Sequence, residues 1–598
     1  MLRRPTFSKF SRLLVASLAG LTFSITVIAS NAEGLSTLRI AEQPGSTPSF
    51  IFPINSCSTF SVTNVQQFQE LQYRPLYFYG AGSSSTLSPL LSLANAPVLS
   101  HDQKTVTVVL KSWRFANHAP VTATSALFYL NLYRANPSDV CGYTQHIGIP
   151  DQLTSAVATG QTLRLTFASA VNLSWLQANY LSQITPFSLS WATTNGTTPS
   201  PTCASGTFGA AGTISACQSV LAYLKAQGAT QSTFASAFWQ QGVDGPYRLD
   251  NLASDGTATF KANPNYSGTV KPHIANLTEV PMHSYFQEIK ALQLGTVDLG
   301  YISPVDLPVH TANSGNNSTL KSFKLTEQTA NQANFIYINR TGTNVNASLL
   351  NQLYIRQALQ QALNQATLAR TMAKGYALPT TSPLPPSTPV ALGTAGANPL
   401  NFSVAKAKAL LTAHGWALVN GVFTCTSPGA GTTNCGAGIA SQTSLSFALV
   451  EASGLYGLNA LVTSVITQWR AIGVSITKSY DTVSDTLDRC HTDNSVQFCI
   501  AGGGWNYQPQ VWPSGEQLFG STSDFNFGHY ADAHMNDLLT AVQTTQIKLS
   551  SYAAYAQSQI PVIFLPVPMI LQETRATLGS IVGVGPSPLG SFTPEYLK

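Results

Sequence analysis

A helix that stops at a glycine and hands on to a strand is the pattern that constrains this chain most, because it commits the fold to alternating helices and sheet. In 458–480 the apolar residues Leu458, Leu461, Val462, Val465, Ile466, Trp469 and Ile472 recur at helical spacing. Gly473 then supplies a C-terminal cap, and Val474, Ile476 and Tyr480 begin an alternating run. In 285–302, Ile289 and Leu292 are helical, Gly295 ends the turn, and Val297 to Ile302 reads as a buried strand. The stretch 353–375 puts Ile355, Leu359, Ala362, Leu363 and Met372 on one helical face and closes at Gly375; Ser403 is the expected N-cap of a short helix ending at Gly415. These units place the chain in the α/β class. Residues 104–110, 162–167 and 257–262 alternate instead, as half-exposed antiparallel strands do. Stretches around 192–218, 311–320, 379–400 and 424–444, rich in Gly, Ser, Thr, Pro and Asn, read as surface loops.

At 598 residues the chain exceeds the roughly 250 to 300 that one core supports, so two or more lobes are expected. Only 9% of the residues are charged while 44% are hydrophobic, which describes a packed protein whose surface is carried by neutral polar side chains. The net charge of +5 includes Arg3, Arg4, Lys9 and Arg12, with no acid before Glu33; without those four the body carries +1. That excludes a polycationic field for nucleic acid. Few carboxylates also means little to lose on acidification, which fits an acidic habitat.

Residues 1–32 read as an export signal: a basic start, the apolar run Leu13 to Ala29, and Ser30-Asn31-Ala32 as a small-x-small cleavage site. The alternative is an uncleaved N-terminal membrane anchor. Export makes the eight cysteines disulfide candidates. Cys203 with Cys217, Cys425 with Cys435, and Cys490 with Cys499 are local couples, which leaves Cys57 with Cys141. Zinc is disfavoured, since no couple has knuckle spacing and none precedes paired histidines.

Signatures of catalysis are missing. There is no GxSxG elbow, no HExxH, no GxxxxGK[ST] loop, and no GxGxxG after a strand. Gly502-Gly503-Gly504 precedes Trp505 rather than a helix, and His529 and His534 are spaced for two surface histidines rather than a metal site. A glycosidase-like carboxylate dyad would have few acids to draw on, with 25 in the whole chain.

Nine collinear pieces carry a resemblance. KTVTVVLKSWRFANHAPVTATSALFYLNLYR (104–134) is similar to the strand pair, tight turn and helix of extracellular solute-binding proteins of family 5, the dipeptide, oligopeptide and nickel-binding components of ABC importers. The match continues through GVDGPYRLDNL (242–252), FKANPNYSGTVKPHIANLTE (260–279) and QEIKALQLGTVDLGYI (287–302). NFIYINRTG (334–342) with 353–386, AKALLTAHGW (407–416), ITQWRAIGVSI (466–476), GGGWNYQPQVWPSGEQLF (502–519) and IPVIFLP (560–566) complete it.

The resemblance implies a two-lobed, periplasmic-binding-protein-like (type II) α/β fold with mixed sheets and hinge strands. Lobe I would span 35–323, with a family-type subdomain at about 61–234, and receive 563–598 on their return; lobe II would span 324–562. The hinge is expected near Thr326 to Phe335 and Phe564 to Met569. It further implies an exported, periplasmic or cell-surface monomer that is not an enzyme, needs no cofactor or metal, and passes a peptide or other medium-sized polar solute to a membrane permease. The alternatives are a secreted hydrolase and a surface interaction protein.

For the solute contacts the resemblance points to Trp505, Asn506, Tyr507 and Gln508, with Trp512 beside them. In lobe I it points to Thr47, Pro48 and Ser49 after the first strand and to Tyr73. Peptide-binding relatives often carry an acid in the 505–510 segment for the peptide amine; Asn506 or Gln508 stands there instead, which favours a neutral solute, a blocked peptide or a sugar. Trp505, Tyr507 and Trp512 offer faces for stacking or, equally, core packing. Arg340 and Arg356 are candidates for an anion or for structural pairing.

Overall fold

The computed structural model describes residues 36–578 except 43–46, 57, 62–63, 81–85, 142, 144, 312–317, 341–344, 389–397, 456, 508–511, 524 and 546. The expected leader, Cys57 and Gln508 lie outside the described residues.

Two mixed sheets organise the molecule. The first runs, strand by strand, Phe323–Thr329, Val567–Arg575, Leu299–Tyr301, Thr37–Ala41, Asn276–Val280, Ala258–Ala262 and Tyr247–Leu252, with Ala377–Leu378 added against Val567 and Pro568. The second runs Ser475–Asp481, Ser446–Ala452, Phe498–Ile500, Gln332–Ile338 and Trp505–Asn506, with Val562–Leu565 also on Gln332–Ile338. The chain crosses between them twice: Phe323–Thr329 continues into Gln332–Ile338 through Ala330 and Asn331, and Val562–Leu565 continues into Val567–Arg575 through Pro566. Both passages are buried, and Asn334 Nδ2 donates to the carbonyl of Pro566 at 2.8 Å, tying one to the other.

A four-stranded sheet (Val98–Leu99, Thr105–Val109, Thr162–Phe167, Leu153–Thr159) and the helices Ala123–Ala135 and Ala211–Gly228 form a further layer. Thr162–Phe167 alternates between buried and more exposed residues, as its sequence requires. Beside this sheet an aromatic core gathers, with Trp191 5.6 Å from Phe187 and 5.0 Å from Trp239, ring centre to ring centre. Each such ring contributes roughly 1.5 to 3 kcal/mol by leaving water.

The helix–glycine–strand units form where expected. Leu458–Ala471 buries Leu458, Leu461, Val462, Val465, Ile466 and Trp469, and Gly473 follows with φ +80. Tyr285–Leu294 ends on left-handed Gly295, and the buried strand after it is shorter than its apolar run, Leu299–Tyr301. Ser403 caps Val404–Ala413 by accepting the Lys406 N–H at 3.2 Å.

Two expectations change. The stretch 353–375 is two helices, Leu353–Gln361 and Gln365–Ala373, because Asn364 turns its side chain onto the Thr367 N–H at 3.0 Å and caps a new start. The stretch around 192–218 is not all loop. It holds the helix Pro201–Ser205 and the start of Ala211–Gly228, and the Cys203–Cys217 disulfide joins the two helices. Disulfides also join Cys425 to Cys435 and Cys490 to Cys499; Cys141 is disulfide-bonded, and its expected partner Cys57 lies outside the described residues. No described helix is long and apolar enough to cross a membrane.

Candidate functional site

The strand Gln332–Ile338 is buried along its whole length and begins at the passage between the sheets. Its first two residues pair with Trp505–Asn506, Gln332 opposite Asn506 and Ala333 opposite Trp505. The pairing is possible because Gly502, Gly503 and Gly504 all take positive φ. At Gly504, with φ +61, a Cβ would sit 2.1 Å from the Ala333 carbonyl oxygen, so no other residue fits the approach. The Tyr507 N–H then donates to the Asn331 carbonyl at 2.8 Å, and Asn331 Nδ2 donates to the Tyr507 carbonyl at 3.1 Å. Segment 505–507 is thus fastened to the point where the chain passes between the two sheets.

Opposite it lies a cavity of about 500 Å³. Its far wall is built from the helical stretch that ends at Gln72, with Tyr73 just beyond, and from the turn 179–185. Tyr73 is held by an edge-on contact with Trp191, ring centres 5.9 Å apart. Tyr129, Tyr133 and Tyr180 add aromatic surface, and Asn179, Gln183 and Gln517 add amides. Burial pushes the phenols of Tyr73, Tyr180 and Tyr507 up, which keeps them protonated hydrogen-bond donors.

Tyr73, Trp505, Asn506 and Tyr507 are therefore brought together on one cavity. Trp512 is buried behind it, its N–H donating to Asn179 Oδ1 at 2.6 Å, and does not line the space. Thr47, Pro48 and Ser49 do not line it either. The Pro48 carbonyl accepts from Gln231 Nε2 at 2.8 Å, and the Ser49 N–H donates to Asn64 Oδ1 at 2.9 Å. Arg356 donates to the carbonyls of Leu350, Asn351, Gln559 and Ile560, and Arg340 donates to the Pro561 carbonyl beneath the Tyr530 ring, so both join chain segments. His529 stacks on His491, ring centres 4.6 Å apart; among the described residues no group of three His, Cys, Asp or Glu side chains is placed to hold a metal.

Sequence reasoning missed Glu516. It lines this cavity and also a second one of about 390 Å³, so it stands in the wall between them. Trp175 Nε1 donates to Glu516 Oε1 at 3.4 Å and the Ser514 hydroxyl donates to Oε2; burial outweighs both and raises the carboxyl above its ordinary range. Around the second cavity two distant chain segments touch. The Asn172 N–H donates to the Gln543 carbonyl at 2.8 Å and Asn172 Nδ2 to the Val542 carbonyl at 2.9 Å. Chemically the arrangement offers enclosure, aromatic faces, amides and two acids, Glu70 and Glu516, which are the means of binding.

Residues 89–525 match a family described as bacterial extracellular solute-binding proteins, family 5 Middle. The chain belongs to that family. It is similar to the oligopeptide-binding protein OppA of Lactococcus lactis subsp. cremoris, 23% identical over 335 residues that make up 53% of this chain and 51% of that protein. The chain thus matches about half the length of such curated relatives. Among solved structures it resembles the substrate-binding protein CtaP of Listeria monocytogenes with a TM-score of 0.69, at 16% identity and covering 94% of this chain and 99% of that one. It also resembles the oligopeptide-binding protein AppA of Bacillus subtilis, solved with a nonapeptide, with a TM-score of 0.62 at 15% identity and coverage of 94% and 98%. NikZ of Campylobacter jejuni, solved with Ni(L-His), gives 0.63 at 17% and coverage of 93% and 98%. The fold of this family 5 chain is accordingly the two-lobed α/β fold of periplasmic binding proteins.

Proposed function

We propose that this family 5 protein captures a solute, a peptide in the first instance, in the cavity between its lobes and delivers it unchanged to the permease of an ABC importer. One observation carries the reading: the walls of a single cavity come from 53–185 and from 504–525, and the second of these is hydrogen-bonded to the strand on which the chain crosses between the two sheets. A solute touching Trp505 to Tyr507 on one side and Tyr73 on the other favours the closed arrangement, and closure proceeds only as far as the solute prefers it. The two passages, at 329–332 and 565–567, are the hinge in this reading. Lobe I takes 35–323 and 563–598, lobe II takes 324–562, and the protein works outside the cytoplasm as an exported monomer.

The test begins with small molecules released from protein purified out of its native host and identified by mass spectrometry. Added back at about a hundred times its Kd, the solute stabilises the fold by about 2.7 kcal/mol. Trp505→Ala removes most of that stabilisation, and the solute is recovered intact. A solute returned as product, or one that stabilises Trp505→Ala as well as the parent, contradicts the reading.

A further inference from the structure

We infer that the outer face of the first sheet, at the end where the chain enters it, rests on an anionic lipid bilayer, with Phe286 and Leu294 as its apolar contacts. The inference is independent of what the cavity holds.

Thr37–Ala41 runs parallel to Asn276–Val280 and to Leu299–Tyr301, so Ser36, Asn276 and Thr296 share one end of the sheet. Leu38, Ile40, Leu277 and Phe260 face the core, which turns Arg39 and Lys261 outward, with Arg248 paired opposite Lys261. The helix Tyr285–Leu294 lies over the same outer face, its Glu288 and Leu292 against Gly300. Its last turn meets Arg575, whose guanidinium donates to the Gly295 carbonyl at 3.2 Å. Arg39, Arg248, Lys261, Lys290, Lys321 and Arg575 therefore gather here, in a chain whose body carries +1.

The acids at this end do not balance them. Asp298 is buried and shared by Arg39 and Arg575, and Asp250 pairs with Lys261 at 2.8 Å. Glu279, Glu288 and Glu573 are buried, and Glu327 pairs with His310 at the opposite end of its strand. Among the described residues Arg248, Lys290 and Lys321 make no ion pair. Phe286 is 72% exposed and Leu294 77%, on one helical stripe with Lys290 between them, its ammonium 5.7 Å from the Phe286 ring. Apolar side chains flanking a lysine suit a lipid interface, where the rings and methyls enter and the ammonium stays with the headgroups.

Two observations name the occupant. Six residues separate the apolar run Leu13 to Ala29 from Ser36, a span of at most roughly 25 Å, so a bilayer that holds the run keeps this end of the sheet beside it. Anionic headgroups also supply the charge that the cations lack. Residues 579–598 leave from the same end, but their one acid, Glu595, is matched by Lys598, and they offer the cations little.

The test is lysine footprinting of the full chain on vesicles of phosphatidylglycerol or of phosphatidylcholine, with a membrane-impermeant amine reagent and mass spectrometry. Lys261, Lys290 and Lys321 are expected to react at least about threefold more slowly on phosphatidylglycerol. Lys406, in the helix Val404–Ala413, serves as the unchanged reference. Salt at about 0.5 M removes most of the protection. Phe286→Ser combined with Leu294→Ser reduces it while leaving the thermal midpoint in place, since both side chains are exposed. Equal reaction on the two lipids, or protection indifferent to salt and to the double variant, overturns the inference. So does protection without vesicles, which would assign the face to a second copy if it grows with protein concentration and to residues 579–598 if it does not. Protection in native membranes but not on lipid alone would assign the face to a protein and overturn it too.

Discussion

At the scale of single residues, the site depends on positions where one side chain, or none, is tolerated. Gly504 is the strictest. A methyl group there meets the Ala333 carbonyl, and left-handed φ costs an L-residue roughly 1 to 2 kcal/mol before any collision is counted. Gly504→Ala is expected to lower unfolding free energy by at least about 2 kcal/mol in chemical denaturation and to weaken solute binding further, because Trp505 and Asn506 shift with it. An unchanged denaturation midpoint would mean that the strand pairing at 332–333 is not what holds the segment. Tyr73, Trp505, Asn506 and Tyr507 were legible in the sequence through family position and aromatic character. Glu516 was not, because its place in the cavity wall depends on contact with Trp175, more than three hundred positions away in the chain. A trace of it was available: Glu516 is the only charged residue between Asp493 and Asp524 in a charge-poor chain.

At the scale of elements, legibility followed the contrast between helix faces. Leu458–Ala471 could be read because large apolar residues line one face and Gly473 closes it. Ala211–Gly228 could not, because Ala, Gly, Ser and Thr make up much of it and its buried Thr213 and Cys217 look like loop residues. The long-range contact at Asn172 was equally silent, being a side chain that does two jobs. Its Oδ1 caps the helix Leu173–Leu176 by accepting from Ser174 and Trp175, while its Nδ2 reaches the Val542 carbonyl, 370 positions away. Asn172→Asp separates these roles, since a carboxylate keeps the cap but loses the donor. Solute affinity is expected to fall about tenfold, corresponding to about 1.4 kcal/mol of lost closure, with little change in the unfolding of the solute-free protein. Equal affinity would mean that the contact does not contribute to the closed state.

At the scale of the whole molecule, the sparse charge has a second consequence in the core. Burial pushes the carboxyls of Glu42 and Glu288 up to about 8 and those of Asp244 and Glu573 up to about 7, and it raises Glu279, which Glu42 raises further. Each binds its proton more tightly folded than unfolded, so its stabilising effect is complete below the ordinary carboxylate range and is lost as pH rises, through 7 to 8 for Glu42, Glu288, Asp244 and Glu573. Asp298 works in the opposite sense. Burial raises it, but hydrogen bonds from Arg39 and Arg575 more than offset this and hold it low, so its contribution disappears as pH falls below the ordinary range. Among the described residues seven carboxyls are raised, Asp306 and Glu516 with these five, and four are lowered; the thermal midpoint is therefore expected to be several degrees higher at pH 5 than at pH 8, and Glu279→Gln should flatten the slope. A midpoint that climbs from pH 5 to pH 8 would contradict this account and the acidic habitat suggested by composition.

Closure of two lobes on a guest is measured most directly by small-angle X-ray scattering of the protein stripped of solute and then saturated with the molecule recovered from it. The radius of gyration is expected to fall on saturation, and Asn172→Asp should need more solute to reach the same value. Saturation, verified by calorimetry, with an unchanged scattering curve would contradict capture by closure.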